Sequence, residues 1–455
     1  MKFFTAETAL QGHGEQNQVD GNLQLSALVG KRRVQRIVNE VDIEDQKPIP
    51  ILVMAAKRPL AIRNHLEQLL KYRPSPKRFP IIVSQDGVNE ATTSAIEHFV
   101  NASNNVFFMH HKDRIGPGTQ SQKNAKSYFY IAQHYKWALD KVFSGPVYEH
   151  VVVTEDDLDI AQDFFSYFLG TRKLLKTDST IWCISAWNDN GGSEITDRAG
   201  VEQLYRTDFF PGLGWMLTKE LWQELSPFWP EAYWDDWLRK QEVRKNRVCI
   251  RPEVSRTAHN NKVAGKGSSG GLYNKYFASI HLPEQPVDFL QLDLSYLVKD
   301  NYDRILKQRL AGAKAISVND IEKKAVKKGN VYRVIYKTPR EYRRLAKAVG
   351  LMNDIRSGMP RTAYYGVVPF LFGGSRIYAV HPNLSPDNDF MRLNSSEVYD
   401  EVWDKMTRFL DFEQLYCTAK KYTGKCDPKS KDLIAWFEKK KLLKRLTAWG
   451  EMIVN

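Results

Sequence analysis

The chain has 455 residues, 42% hydrophobic and 26% charged, with 11 Trp, 21 Tyr and 22 Phe. This length excludes a single small module, and the apolar and aromatic content excludes a disordered protein. Lys and Arg outnumber Asp and Glu by 66 to 53, a net charge of +13 that favours anionic partners. The basic residues are scattered, and the densest block, Lys439, Lys440, Lys441, Lys444 and Arg445, reads as one solvated helix face, so no nucleic acid is expected.

Residues 1–47 are polar and read as a flexible leader or stem. The apolar run at Met1–Ala6 is too short for a secretory signal, and no run of about 18 apolar residues occurs, so no membrane span is visible. From there short apolar runs alternate with helical spacing. Ile51–Ala55 reads as a buried strand, Arg58–Tyr72 as a helix, and Pro80–Val83 as a strand running into Ser84-Gln85-Asp86-Gly87. A helix at about 91–100, a strand at Val106–Met109, a helix at about 125–143 and a strand at His150–Thr154 follow. This rhythm predicts an α/β fold, a mostly parallel sheet with helices on both faces, over residues 48–290. Residues 291–381 read as a small α+β domain, with a strand at Val331–Tyr336, a helix at Glu341–Val349 and a hairpin across Gly373-Gly374. Residues 382–455 read as a helical, polar extension.

Three segments carry chemistry. Val151-Val152-Val153-Thr154-Glu155-Asp156-Asp157 places three acids after an apolar strand, where open α/β sheets bind ligands. Carboxylates crowded there repel unless a cation offsets them, and their hard oxygens suit Mn²⁺ or Mg²⁺. The alternative is an acidic helix start complementing its dipole. Gly265-Lys266-Gly267-Ser268-Ser269-Gly270-Gly271 is either a loop that closes over phosphate or a plain surface loop. Tyr233-Trp234-Asp235-Asp236-Trp237 is either a base beside a sugar-packing Trp or an Asp-capped helix with core Trp.

Four cysteines are too few for a disulfide scaffold, and none forms CxxC. Two pairs would suit an oxidising lumen and four buried thiols the cytosol. Asn-x-Ser/Thr triplets at Asn101, Asn383 and Asn394 add weak support for the lumen.

Several long segments then align in order. They are Pro80–Asp86, His134–Leu139, Ser185–Gly191, Tyr205–Trp215, Trp234–Trp237 and Arg251–Thr257, within about 49–381. Together they resemble the N-acetylglucosaminyltransferase I family. The resemblance implies a GT-A fold, a Mn²⁺ cofactor and transfer of GlcNAc from UDP-GlcNAc, in β1,2 linkage, to the α1,3-mannose arm of a high-mannose N-glycan. It implies Asp157 as metal ligand, Asp156 near ribose and metal, and Glu155 on the donor sugar. Asp86 and His134 would meet uracil and Arg58 the diphosphate. Asp235 would be the catalytic base, Leu213 and Trp234 would line the GlcNAc pocket, and Ser269 would lie in a loop over the donor, supported by Arg247. Cys183 and Cys249 fall at the family's long-range disulfide, while Ala56 and Gly87 stand near where its other pair would be. Cys417 and Cys426 could close a small loop. A Golgi location is implied, with any membrane contact through an anchor not present in this sequence. A transferase acting on protein O-mannose and a catalytically silent glycan-binding protein are the competing readings.

Overall fold

The computed structural model describes residues 47–263, 273–382, 384, 398–399, 401–427 and 430–440. The elements of the first half are β1 (Ile51–Ala55), α1 (Pro59–Tyr72), β2 (Ile81–Asp86), α2 (Glu90–Ala102), β3 (Val106–His111), α3 (Lys126–Phe143) and β4 (His150–Glu155). These are the expected strands and helices, with ends moved by a few residues. After them come β5 (Leu158–Ile160), β6 (Ile181–Ser185), β7 (Leu204–Thr207), β8 (Trp215–Thr218), α4 (Trp234–Arg239), β9 (Val248–Pro252) and β10 (Thr257–His259).

Eight strands form one sheet in the order β3-β2-β1-β4-β8-β6-β9-β7. The half from β3 to β4 is wholly parallel. In the other half only β6 and β9 run parallel, and β8 and β7 pair antiparallel with their neighbours. Helices cover both faces because β1 is apolar at every position. Ile51, Val53 and Ala55 face the core that receives Ile62, Leu66 and Leu69 of α1 and Ile96 and Phe99 of α2. Leu52 and Met54 face the opposite core, filled by Ala132, Tyr135, Ala138, Leu139 and Val142 of α3. Each fully buried Leu or Ile contributes roughly 1.5–3 kcal/mol, so these two faces fix the stacking. Cys183 and Cys249 sit opposite each other on β6 and β9 and are disulfide-bonded, as are Cys417 and Cys426.

The chain runs β1 to β2 to β3 in one direction, then returns to place β4 on the other side of β1. This reversal opens a crevice at the carboxyl ends of β1 and β4, where such sheets bind ligands. The strands that sequence spacing missed, β6 to β10, are three to five residues long and embedded in loops.

The second sheet is built from β11 (Lys314–Ala315), β12 (Val331–Ile335), β13 (Val368–Phe372) and β14 (Ser375–Val380), in the order β11-β12-β14-β13. The last two form the expected hairpin, with Phe372 opposite Ser375. Helix α5 (Lys299–Gly312) places Tyr302, Leu306 and Leu310 in the same core as the large sheet, together with Tyr364, Val367 and Tyr378. Packing is therefore continuous between the two sheets. In the extension, α7 (Glu401–Phe412) and α8 (Lys431–Lys439), counted after α6 (Pro339–Val349), share a small core of Phe412, Cys417, Leu433 and Phe437. Among the described residues no helix is long and apolar enough to cross a membrane.

Candidate active site

The ends of β2, β3 and β4 and the helices α3 and α4 build the site. Strand β4 delivers Glu155, and the Asp156 amide donates to the Met54 carbonyl at 3.0 Å, which holds the acidic run against β1. His65 braces the turn from α1. Its Nδ1 donates to the Leu158 carbonyl at 2.6 Å, so its Nε2 accepts from the Thr154 hydroxyl at 2.9 Å. Burial lowers its pKa to about 4, and it stays neutral. Asn64, Gln68 and Asn260 all donate to Asp159 Oδ1. That fourth acid is thereby committed to structure, and the crevice keeps Glu155, Asp156 and Asp157.

Burial pushes the carboxyls of Glu155 and Asp156 up, and the charge of Asp157 pushes in the same direction. Burial would also raise Asp157, but a hydrogen bond from His259, at 3.4 Å, and the Arg58 guanidinium together pull it below the usual range. Arg58, just ahead of α1, bridges the pair, with one nitrogen on Asp156 and one on Asp157. Each of these aspartates keeps one buried oxygen, Asp156 Oδ2 and Asp157 Oδ1, with no hydrogen-bond partner among the described residues. Unsatisfied buried carboxylate oxygens are costly. A hard divalent cation satisfies them, so the residues present fit a metal of the Mn²⁺ or Mg²⁺ type.

Helix α3 connects this corner to the WDDW segment. The Tyr135 hydroxyl donates to Glu155 Oε1 at 2.9 Å, and its ring lies 4.3 Å from that of Trp234. Burial raises the Tyr135 phenol, and the charges of Glu155, Asp157 and Asp235 raise it further. Tyr233 precedes α4 with φ 54° and no side-chain cap, so neither aspartate serves as the N-cap. Arg239 Nη1 donates to Asp235 Oδ2 and Asp236 Oδ1, both at 2.8 Å, and its Nε donates to the Phe210 carbonyl. The Asp235 side chain stays 42% exposed. The Tyr128 ring lies 4.4 Å from Tyr233, and burial and the nearby Asp235 charge push its phenol to about 12. Leu213 sits between Gly212 and Gly214 in a run of three positive φ angles. A Cβ at Gly214 would come within 2.7 Å of Thr257, so this turn can press against β10 only as glycine. The Thr257 hydroxyl donates to the Leu213 carbonyl and fixes the turn.

At the ends of β2 and β3, Asp86 meets His111, His134 and Arg114. Arg114 Nη1 donates to Asp86 Oδ2 at 3.2 Å, while Asp86 Oδ1 is buried without a hydrogen-bond partner among the described residues. Burial raises the Asp86 carboxyl, and Arg114 partly offsets this. His134 Nε2 donates to the Ser84 carbonyl, and burial drives its pKa down to about 3. Gly87 has φ 65°, and a Cβ there would strike the Arg114 guanidinium at 2.6 Å.

The sequence model of the GNT-I family matches residues 6–394 of the chain. The chain belongs to the GNT-I family. It is 38% identical over 342 residues to the alpha-1,3-mannosyl-glycoprotein 2-beta-N-acetylglucosaminyltransferase of Arabidopsis thaliana, covering 74% of this chain and 75% of that protein. Among solved structures it is similar to S. aureus TarS 1–349, at 10% identity and a TM-score of 0.33 over 66% of this chain and 81% of that one. It is also similar to the mannosyltransferase PcManGT from Pyrobaculum calidifontis in complex with GDP-Man and Mn²⁺, at 12% identity and a TM-score of 0.32 over 95% and 94%.

The GNT-I match extends beyond the segments at 49–381 on both sides. Of the residues that the resemblance singles out, the structure brings Arg58, Glu155, Asp156 and Asp157 together in one corner. It joins Trp234, the neighbour of Asp235, to that corner through Tyr135, and it gathers Asp86 and His134 with His111 at the ends of β2 and β3. Arg58 lies on the aspartates themselves. Arg247 pairs with Glu224 at 2.8 and 2.9 Å and stacks on Trp182. Ser269 lies outside the described residues, as do Asn383, Asn394, Lys441, Lys444 and Arg445. Sequence reasoning missed His111, Tyr128, Tyr135, Arg239 and His259. Tyr128 and Tyr135 lie two helical turns apart, hence on one face of α3, and that spacing was the available signal.

Proposed function

We infer that this GNT-I family protein is an inverting N-acetylglucosaminyltransferase. It moves GlcNAc from UDP-GlcNAc, in β1,2 linkage, to the α1,3-mannose arm of a high-mannose N-glycan. The observation that carries this reading is Tyr135, which bonds Glu155 at the strand end and packs its ring on Trp234, the neighbour of Asp235, within a chain that matches the family along most of its length.

Asp86 and His134 bind the uracil edge. Glu155, oriented by Tyr135, holds the GlcNAc, which packs against Leu213 and Trp234. Asp157, with Asp156 beside it, would hold Mn²⁺, with Mg²⁺ a possible substitute. The ion supplies electrostatic stabilisation of the departing diphosphate. Arg58 swings from the aspartates to the same phosphates. Asp235 accepts the proton of the mannose 2-hydroxyl as that oxygen forms its bond to the anomeric carbon. The bond from that carbon to the UDP oxygen breaks on the opposite face, so configuration inverts. UDP leaves without protonation, so one carboxylate base is enough. This differs from glycoside hydrolysis, where a second acid protonates the departing oxygen. A Golgi lumen location accords with the two disulfides, since such bonds persist in oxidising compartments.

The test is UDP release from UDP-GlcNAc with a five-mannose N-glycan acceptor, with and without Mn²⁺. Turnover requiring both supports the reading. Transfer only to an O-mannosyl peptide, or glycan binding without turnover, overturns it.

A further inference from the structure

We propose that Asp86, His111 and His134 form a site for one Zn²⁺-type divalent ion, separate from the carboxylates at Asp156 and Asp157. One ligand atom from each residue lies within 4.8 Å of the other two. His111 Nδ1 is 3.2 Å from His134 Nδ1 and 3.8 Å from Asp86 Oδ1. Zinc–nitrogen bonds of about 2.0–2.1 Å place neighbouring tetrahedral ligands about 3.3 Å apart, so small movements close the set.

The protons favour the same arrangement. A carbonyl only accepts, so His134 Nε2 carries the hydrogen donated to Ser84, and its Nδ1 is a bare lone pair. His111 therefore supplies the hydrogen of the 3.2 Å contact, from its own Nδ1. An ion replaces that hydrogen. The proton leaves His111 Nδ1, returns at Nε2 through water, and both Nδ1 lone pairs then face the metal. Asp86 Oδ1, buried and without a hydrogen-bond partner among the described residues, supplies the third ligand and one negative charge. The outer contacts that orient metal-binding side chains are in place. The Ser84 carbonyl holds His134, and the Trp137 ring stacks on His111 at 4.6 Å. Arg114 opposes a cation through its charge, but it bonds Asp86 through Oδ2 rather than Oδ1, stacks on Tyr130 at 4.4 Å, and its side chain is 34% exposed. Two imidazoles and one carboxylate suit Zn²⁺ or Co²⁺ better than a hard ion, whereas the all-carboxylate corner suits Mn²⁺.

On the functional reading given above, uracil reaches the same Asp86 and His134, so ion and nucleoside exclude each other. Co²⁺ added to tag-free, full-length protein without Mn²⁺ reports the site through the intense visible absorption of tetrahedral cobalt. All four cysteines are in disulfides, so thiolate cannot produce it. We expect that band, its loss with one equivalent of Zn²⁺, and affinity at least about 10-fold weaker in both His111→Gln and Asp86→Asn. Asp157→Ala should keep it. Near-UV circular dichroism checks that each variant is folded. Absence of the band, or a band that survives His111→Gln and Asp86→Asn in folded protein, overturns the site. Uridine, which has no phosphate to chelate cobalt, should suppress the band where adenosine does not. A band that needs both residues yet ignores uridine would retain the metal site and remove uracil from this pocket.

Discussion

Tyr135→Phe removes one hydroxyl and leaves the ring in place, 4.3 Å from Trp234. The residue is 3% exposed, so no new water reaches the ring, and its stacking persists. What is lost is the 2.9 Å hydrogen bond to Glu155, the carboxylate assigned to the donor sugar. A hydrogen bond to a charged group contributes about 1.5–3 kcal/mol, and each 1.4 kcal/mol is tenfold in affinity. That bond lies within the protein, so only the part of it that aims Glu155 at the sugar shows in affinity: UDP-GlcNAc should bind more weakly, by at most about 150-fold, while UDP, which lacks the sugar, should bind almost as before. Titration calorimetry of both ligands in Mn²⁺ measures the two constants. Equal losses for UDP and UDP-GlcNAc would place the effect on the nucleotide or metal. No loss for either would show that Tyr135 does not orient Glu155 for the sugar.

Asp157→Ala should abolish metal-dependent donor binding, whereas Asp235→Asn should leave donor binding within about twofold and slow transfer by roughly 10²–10⁴-fold; calorimetry and a transfer assay on both variants separate the roles. His65 is neutral in the folded state with a pKa of about 4, against an ordinary value near 6.5. The unfolded chain thus binds the extra proton first, and stability that is complete above about pH 6.5 falls by on the order of 3 kcal/mol as the pH drops towards 4. Urea titrations across that range should show a shallower loss in His65→Gln. Asp354 is held below the usual carboxylate range because Arg361 and Arg356 outweigh the cost of its burial. Asp354→Ala strands part of the charge of Arg361, which also pairs with Asp189, and should cost about 3–5 kcal/mol at pH 7 in urea unfolding.

The parallel half of the sheet was legible because each strand there is a short apolar run ending in polar residues at the crevice. Val151–Val153 and Ile81–Val83 are buried, and their chain ends deliver Glu155 and Asp86. The mixed half was not legible. Strands β7 and β10 bury Arg206 and Thr257 among apolar neighbours, which no alternation pattern anticipates. Arg206 is tolerated there because Asp178 pairs with it at 2.7 Å, a contact visible only once the chain is folded. The WDDW segment was readable as a capped helix or as a site, and the cap is Tyr233 in a left-handed conformation, while Arg239 pairs with both aspartates and Arg356 with Asp236. His259 could not be tied to Asp157 from spacing, because strand pairing of β10 with β5 brings together residues a hundred positions apart.

Helix α3 carries His134 against the Ser84 carbonyl, Tyr135 against Glu155 and Tyr128 against Tyr233, so on the function proposed above it would span the uracil, sugar and alcohol ends of the site. It therefore acts as a ruler, because a helix rises about 1.5 Å per residue and bends little over two turns. Deleting one residue between Tyr128 and His134 would swing Tyr128 about 100° around the rod while the far marks stayed fixed. On that function, a change in the first turn of this one helix would move the alcohol mark and leave the nucleotide gauge untouched.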